Sequence, residues 1–80
     1  MITVHVQYFA ILREQRGASQ EKILTAAGTP GALYEELRGR HQFTLPSDRV
    51  RAAVNDTFVD SAAALREGDR IVFIPPVAGG

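Results

Sequence analysis

Phe73-Ile74-Pro75-Pro76-Val77-Ala78-Gly79-Gly80 is the stretch on which the reading of this chain turns. Its start belongs to a β-prone run, Arg70 to Ile74. Pro75 and Pro76 then fix φ, remove two backbone donors and hold their predecessors away from helix, so the chain is expected to leave a sheet stiff and extended. Gly79 and Gly80 carry no side chains, and six extended residues reach roughly 20 Å. A tail of this kind can carry a terminal carboxylate deep into another protein's active site, through a channel too narrow for bulkier residues.

Working outward from the tail, Gly68-Asp69 reads as a turn and Arg70 to Ile74 as the last strand. With Ile71 and Phe73 facing the core, Val72 and Ile74 point outward, and Pro75 is expected to extend that apolar strip. A chain this short has little material for a second cover, which favours a partner-docking surface over a strand buried on both faces. Val50 to Val54 and Thr57 to Val59 flank Asn55-Asp56, a dipeptide that tolerates the positive φ of a tight hairpin turn. Ala62 to Leu65 reads as one helical turn that drops Leu65 into the core.

At the other end, Ile2, Val4, Val6 and Tyr8 alternate with Thr3, His5 and Gln7, the period of a strand with one buried face. Phe9 to Arg16 reads as a short helix carrying Phe9, Leu12 and Arg13, stopped by Gly17. Gln20 to Thr25 is a weaker strand. Thr29-Pro30 is a helix start, a cap followed by the residue that suits the first helical position. Leu33 and Leu37 share one face with Ala32 beside them, and Glu36 and Arg40 can pair one turn apart. Gln42 to Arg49 reads as a loop. The order is β, short α, β, α, a hairpin and a last strand, an α+β domain. Its first and last strands are the most apolar, which suits central places in a mixed sheet.

Eighty residues make one domain that buries roughly 60% of its unfolded surface, so the core is small. Nine basic residues balance nine acidic ones, and a zero net charge lacks the basic excess of a nucleic-acid or anionic-membrane binder. With no cysteine, disulfides, thiolate metal sites and cysteine nucleophiles are excluded. Met1-Ile2-Thr3-Val4-His5 lacks a leader's basic-then-apolar pattern, and no apolar run is long enough to span a membrane. A cytoplasmic protein is expected. His5 and His41 have no metal-ligand spacing, Asp56, Asp60 and Asp69 sit in or near turns, and no phosphate-binding loop or catalytic triad appears, so structural and surface roles are expected for them.

Tyr8-Phe9-Ala10 with Arg13-Glu14 and Gly17, Ala52-Ala53-Val54-Asn55 with Thr57 and Val59, Gly68-Asp69, and above all Phe73 to Gly80 carry a resemblance that runs the full length of the chain. It is similar to the small subunits of molybdopterin synthase (MoaD), a family of ubiquitin-like sulfur carriers. The resemblance implies a ubiquitin-like β-grasp, a mixed sheet with a helix across one face, over residues 1–76, followed by a flexible Gly-Gly tail at 77–80. It implies that an activating enzyme (MoeB-like) spends ATP to adenylate the carboxylate of Gly80, which a sulfur donor converts to a thiocarboxylate. Pro75, Pro76, Val77, Ala78 and Gly79 then insert into the large subunit (MoaE), where the sulfur passes to cyclic pyranopterin monophosphate in a heterotetramer. Val72 and Ile74 are expected to touch partners. Arg13 and Arg70 are candidates for a partner's acidic surface and equally for plain solvated side chains. The chain itself binds no metal and no cofactor on this reading, and supplies a reactive group rather than a complete active site. Two other readings stay open: a carrier of the same fold serving thiamine or another thiolated product, and a ubiquitin-like modifier or plain binding module.

Overall fold

Alternation at the two ends of the chain builds the centre of the sheet. In the computed structural model, which describes residues 1–76, the elements are β1 (Ile2–Tyr8), α1 (Ala10–Arg16), β2 (Gln20–Thr25), α2 (Pro30–His41), a 3-10 turn (Ser47–Arg49), β3 (Arg51–Val54), β4 (Thr57–Val59) and β5 (Arg70–Ile74). Val77, Ala78, Gly79 and Gly80 lie outside the described residues. The sheet order is β2-β1-β5-β3-β4. β1 and β5 pair in parallel, with Tyr8 opposite Phe73, and the other neighbours are antiparallel. The first and last strands are therefore adjacent and flanked on both sides. This is the ubiquitin-like β-grasp.

One face of the sheet is covered and the other is open. Val4, Val6, Tyr8, Ile23, Ala52, Ile71 and Phe73 pack against Leu33, Tyr34 and Leu37 of α2, with Leu12 of α1. Thr29 caps α2, its hydroxyl accepting the Ala32 N–H at 3.1 Å. Glu36 and Arg40 pair at 3.1 Å, and the Thr25 hydroxyl donates to Glu36 at 2.7 Å. Ala32 is exposed and Tyr34 takes the buried place beside Leu33 and Leu37. The helix turns its 100° per residue so that 33, 34 and 37 share a stripe and 32 falls outside it. Gly17 ends α1 at φ 85°, and Gly68 turns the chain into β5 at φ 84°.

Two segments differ from the sequence reading. Ala62 to Leu65 forms no helix: the Asp60 carboxylate accepts the Ala62 N–H at 2.8 Å and makes a turn. Leu65 still reaches the core, anchored by its N–H to the Gly28 carbonyl at 2.9 Å. Within Gln42 to Arg49, Phe43 is a core residue, edge-on to Tyr8 and stacked on Tyr34. Gln42, at φ 58°, makes the left-handed step that turns Phe43 back under the helix. No helix among the described residues is long and apolar enough to cross a membrane.

A small polar network closes one end of the core. Tyr8 donates to Glu21 at 2.5 Å, Arg16 Nε donates to the same carboxylate at 3.0 Å, and His41 Nε2 lies 3.1 Å from it. Burial alone would raise the Glu21 pKa, but the hydrogen bonds from Arg16 and Tyr8 outweigh it and hold the carboxyl at about 2. Burial first, and then the bond to Glu21, pushes the Tyr8 hydroxyl far above its ordinary value. A carboxylate depressed on folding stabilises the fold fully above its unfolded pKa. That contribution is lost as pH falls from the ordinary value of 4.5 toward about 2. Glu21→Gln should therefore cost roughly 2 kcal/mol at neutral pH, and the gap between the two proteins should close near pH 2. Urea denaturation across that range measures it. A gap that is the same at pH 2 and pH 7 would mean that shape, not charge, is what Glu21 supplies.

Candidate functional site

The end of β5 gathers the exposed apolar surface. Ile71 and Phe73 are inside at 0% and 1% exposure, while Val72 and Ile74 are half-buried on the open side. In register with them stand Ala53, opposite Val72, and Phe58, opposite Ala53. Phe58 is 54% exposed, and the Arg51 guanidinium sits 4.2 Å from its ring centroid. Phe9 is also exposed. It follows Tyr8 as Ile74 follows Phe73 in the parallel pair, so it belongs to the same end of the sheet.

An open groove of about 360 Å³ lies where β5 ends, lined by Asp48, Arg49, Arg51, Phe58, Ile74, Pro75 and Pro76. Pro76 is exposed. Pro75 is buried and does not extend the exposed strip; it forms part of the groove's floor. Strand alternation explains this, because a residue two beyond Phe73 falls on the Phe73 side.

The expected site residues divide three ways. Val72 and Ile74 stand together on the open face, with Pro75 and Pro76 at its end. Val77, Ala78, Gly79 and Gly80 lie outside the described residues. Arg13 is exposed in the last turn of α1 and shares no hydrogen bond or register position with Val72 or Ile74. The sequence reading passed over Phe58, although the two-residue turn at Asn55-Asp56 fixes it opposite Ala53. Asn55 and Asp56, at φ 51° and 73°, hold that turn.

Among the described residues no three His, Asp or Glu side chains gather as metal ligands. Asp69 accepts from Asn55 Nδ2 at 3.0 Å and the Arg66 N–H at 2.8 Å, so its carboxylate ties the β3–β4 turn to the start of β5. His41 serves the Glu21 network. What remains is a one-sided apolar face, a groove at its end, and a rigid dipeptide leading out of it.

Comparison with known proteins fits this geometry. Residues 6–80 match the model of the ThiS family. The chain is 35% identical to the molybdopterin synthase sulfur carrier subunit of Mycobacterium tuberculosis, over 100% of both chains. It is 32% identical to the subunit of the same name from Escherichia coli, over 96% of this chain and 99% of that one. Its backbone superposes on a chain in the complex of subunits 1 and 2 of the molybdopterin-converting factor from Helicobacter pylori. There the TM-score is 0.68 and the identity 25%, over 99% of this chain and 100% of the other.

Proposed function

The chain belongs to the ThiS family, and from that premise we propose that it is the sulfur-carrier subunit of a molybdopterin synthase. Gly80 is the residue that carries the sulfur. In an adenylating enzyme of the ubiquitin-activating type, the Gly80 carboxylate attacks the α-phosphorus of ATP, forming the acyl-adenylate and releasing pyrophosphate. This turns a poor electrophile into a mixed anhydride with a good leaving group. Sulfide-level sulfur from a donor displaces AMP and leaves a thiocarboxylate. Pro75 to Gly79 then enter the large subunit, where the sulfur is delivered to cyclic pyranopterin monophosphate during molybdopterin synthesis. The carrier works in the cytoplasm, in a heterotetramer with two copies of each subunit, and needs no cofactor of its own.

The observation that supports this most is the position of Pro75-Pro76 at the end of an uncovered apolar face. A partner that docks on Val72, Ile74 and Phe58 meets the outgoing chain at the same place. Likeness to named sulfur carrier subunits over the full length supports the choice of pathway, and the Helicobacter pylori complex supports a large-subunit partner. With no cysteine, sulfur has no thiol side chain to ride on. Reconstitution tests the proposal. The thiocarboxylate form, mixed with the large subunit, should convert cyclic pyranopterin monophosphate to molybdopterin, and the carboxylate form should not. Conversion of a thiamine precursor instead would move the carrier to the other pathway.

A further inference from the structure

The open face of the sheet has a second composition beside its apolar one. Lys22, His5 and Arg70 are register partners across β2, β1 and β5, so their side chains form one row on the open side. All three are exposed. Neighbours in such a row stand about 5 Å apart at Cβ. The next row along the strands is Gln20, Gln7, Val72, Ala53 and Phe58, and beyond it Arg51 stands opposite Ile74. A shallow depression of about 210 Å³ lies along this row, lined by His5, Gln7, Gln20, Lys22 and Arg70 and also by Glu21, whose carboxylate is engaged by Tyr8, Arg16 and His41.

No strand position on this face carries a carboxylate, although the chain has as many acids as bases. Glu14, Glu35 and Glu36 are on the helices, and Asp48 and Asp60 in the turns. At the row's own end, Asp69 is held by Asn55 and the Arg66 N–H, and Glu67 accepts the Thr3 N–H. Asp56 reaches Arg70 at 3.4 Å, but both side chains are more than half exposed, so this pair is well screened. Arg70 keeps most of its charge available to a partner. Three of the nine cations, Lys22, Arg51 and Arg70, stand on this face beside the apolar strip, and no strand carboxylate there opposes them.

We propose that Lys22 and Arg70, with His5 between them, form the polar, cationic half of the docking face, and that the subunit receiving the tail meets the two cations with a cluster of carboxylates beside its apolar contact. This rests on the sulfur-carrier reading. The row is one rung from Val72, so a partner seated on Val72, Ile74 and Phe58 covers or borders it. Opposed charges of this kind steer encounter and set orientation, which matters for a carrier that must present its tail to a narrow channel.

The test is the association rate of the full chain with the large subunit over a salt series. Lys22→Glu with Arg70→Glu should slow association by at least about tenfold at low salt and flatten or reverse the salt dependence. Lys22→Gln with Arg70→Gln should give a smaller loss, which guards against a misfolded double reversal. Arg38→Glu with Arg40→Glu, on the helix that covers the other face, changes net charge equally and should leave the rate within about twofold. Native rate and salt slope in the Lys22/Arg70 reversal, with the native chain binding, would overturn this proposal alone. An equal loss in the helix variant would overturn it too, since net charge would then suffice. So would a DNA duplex that binds the row and displaces the large subunit. A native chain that does not bind the large subunit at any salt would overturn the sulfur-carrier reading and this one with it.

Discussion

One residue appended after Gly80 should reduce sulfur loading by at least about a hundredfold and leave thermal unfolding where it was. Each added residue moves the carboxylate roughly 3.5 Å along an extended chain. An adenylation centre tolerates far less, because a misplacement of about 1 Å can already cost a hundredfold in rate. Folding should not notice, since Gly79 and Gly80 have no side chains to bring to a core. Deleting the two glycines should have the same pair of effects. The readouts are the intact mass after incubation with the activating enzyme, ATP and a sulfur donor, and a melting curve on the same sample. An extended chain that is loaded without being trimmed would remove Gly80 from the mechanism.

The second large effect separates neighbouring residues. Phe73→Ala should destabilise the domain by roughly 3–5 kcal/mol, because Phe73 is 1% exposed and packs edge-on to Tyr34 at 5.3 Å. For so small a domain that is a large share of the total stability. Ile74→Asp should leave melting nearly unchanged and weaken binding to the large subunit by a few kcal/mol, a hundredfold or more, by placing an unpaired charge in a desolvated contact. Melting and binding measured on both variants decide the matter. If the Ile74 variant binds as tightly as the native chain, the open strip is not the docking surface.

The parts of this fold that the sequence announces are those where a short-range rule has no rival. Alternation marks β1, and Ile71 and Phe73 sort themselves from Val72 and Ile74 by the same rule. Thr29-Pro30 and Asn55-Asp56 mark a helix start and a hairpin turn through φ and capping alone. What was not legible depends on residues distant in sequence. Phe43 is a lone aromatic after a helix, without a period, and is a core residue only because Gln42 folds it back on Tyr8 and Tyr34. Glu21, Arg16, Tyr8 and His41 come from four elements, and no local pattern joins them. Leu65 was placed correctly for the wrong local reason, since a turn and a backbone bond anchor it rather than a helix. Within the candidate site, alternation gave Val72 and Ile74. Applied one residue further, it would also have turned Pro75 inward. Phe58 lies in a strand of three residues, too short for a period, and only its register across the hairpin exposes it.

The most direct measurement is the mass of the intact protein after incubation with ATP, an activating enzyme of the ubiquitin-activating type and a sulfur donor. The chain should gain the mass difference between one sulfur and one oxygen, and fragmentation should place that gain on Gly80. Gly80→Ala should load more slowly although its carboxylate remains, because the added methyl obstructs the close approach that glycine permits. A sulfur-dependent gain that persists after Gly80 is removed would contradict the account. So would no gain at all with an activating enzyme proven competent on another carrier, and the chain would then be a binding module of the same fold.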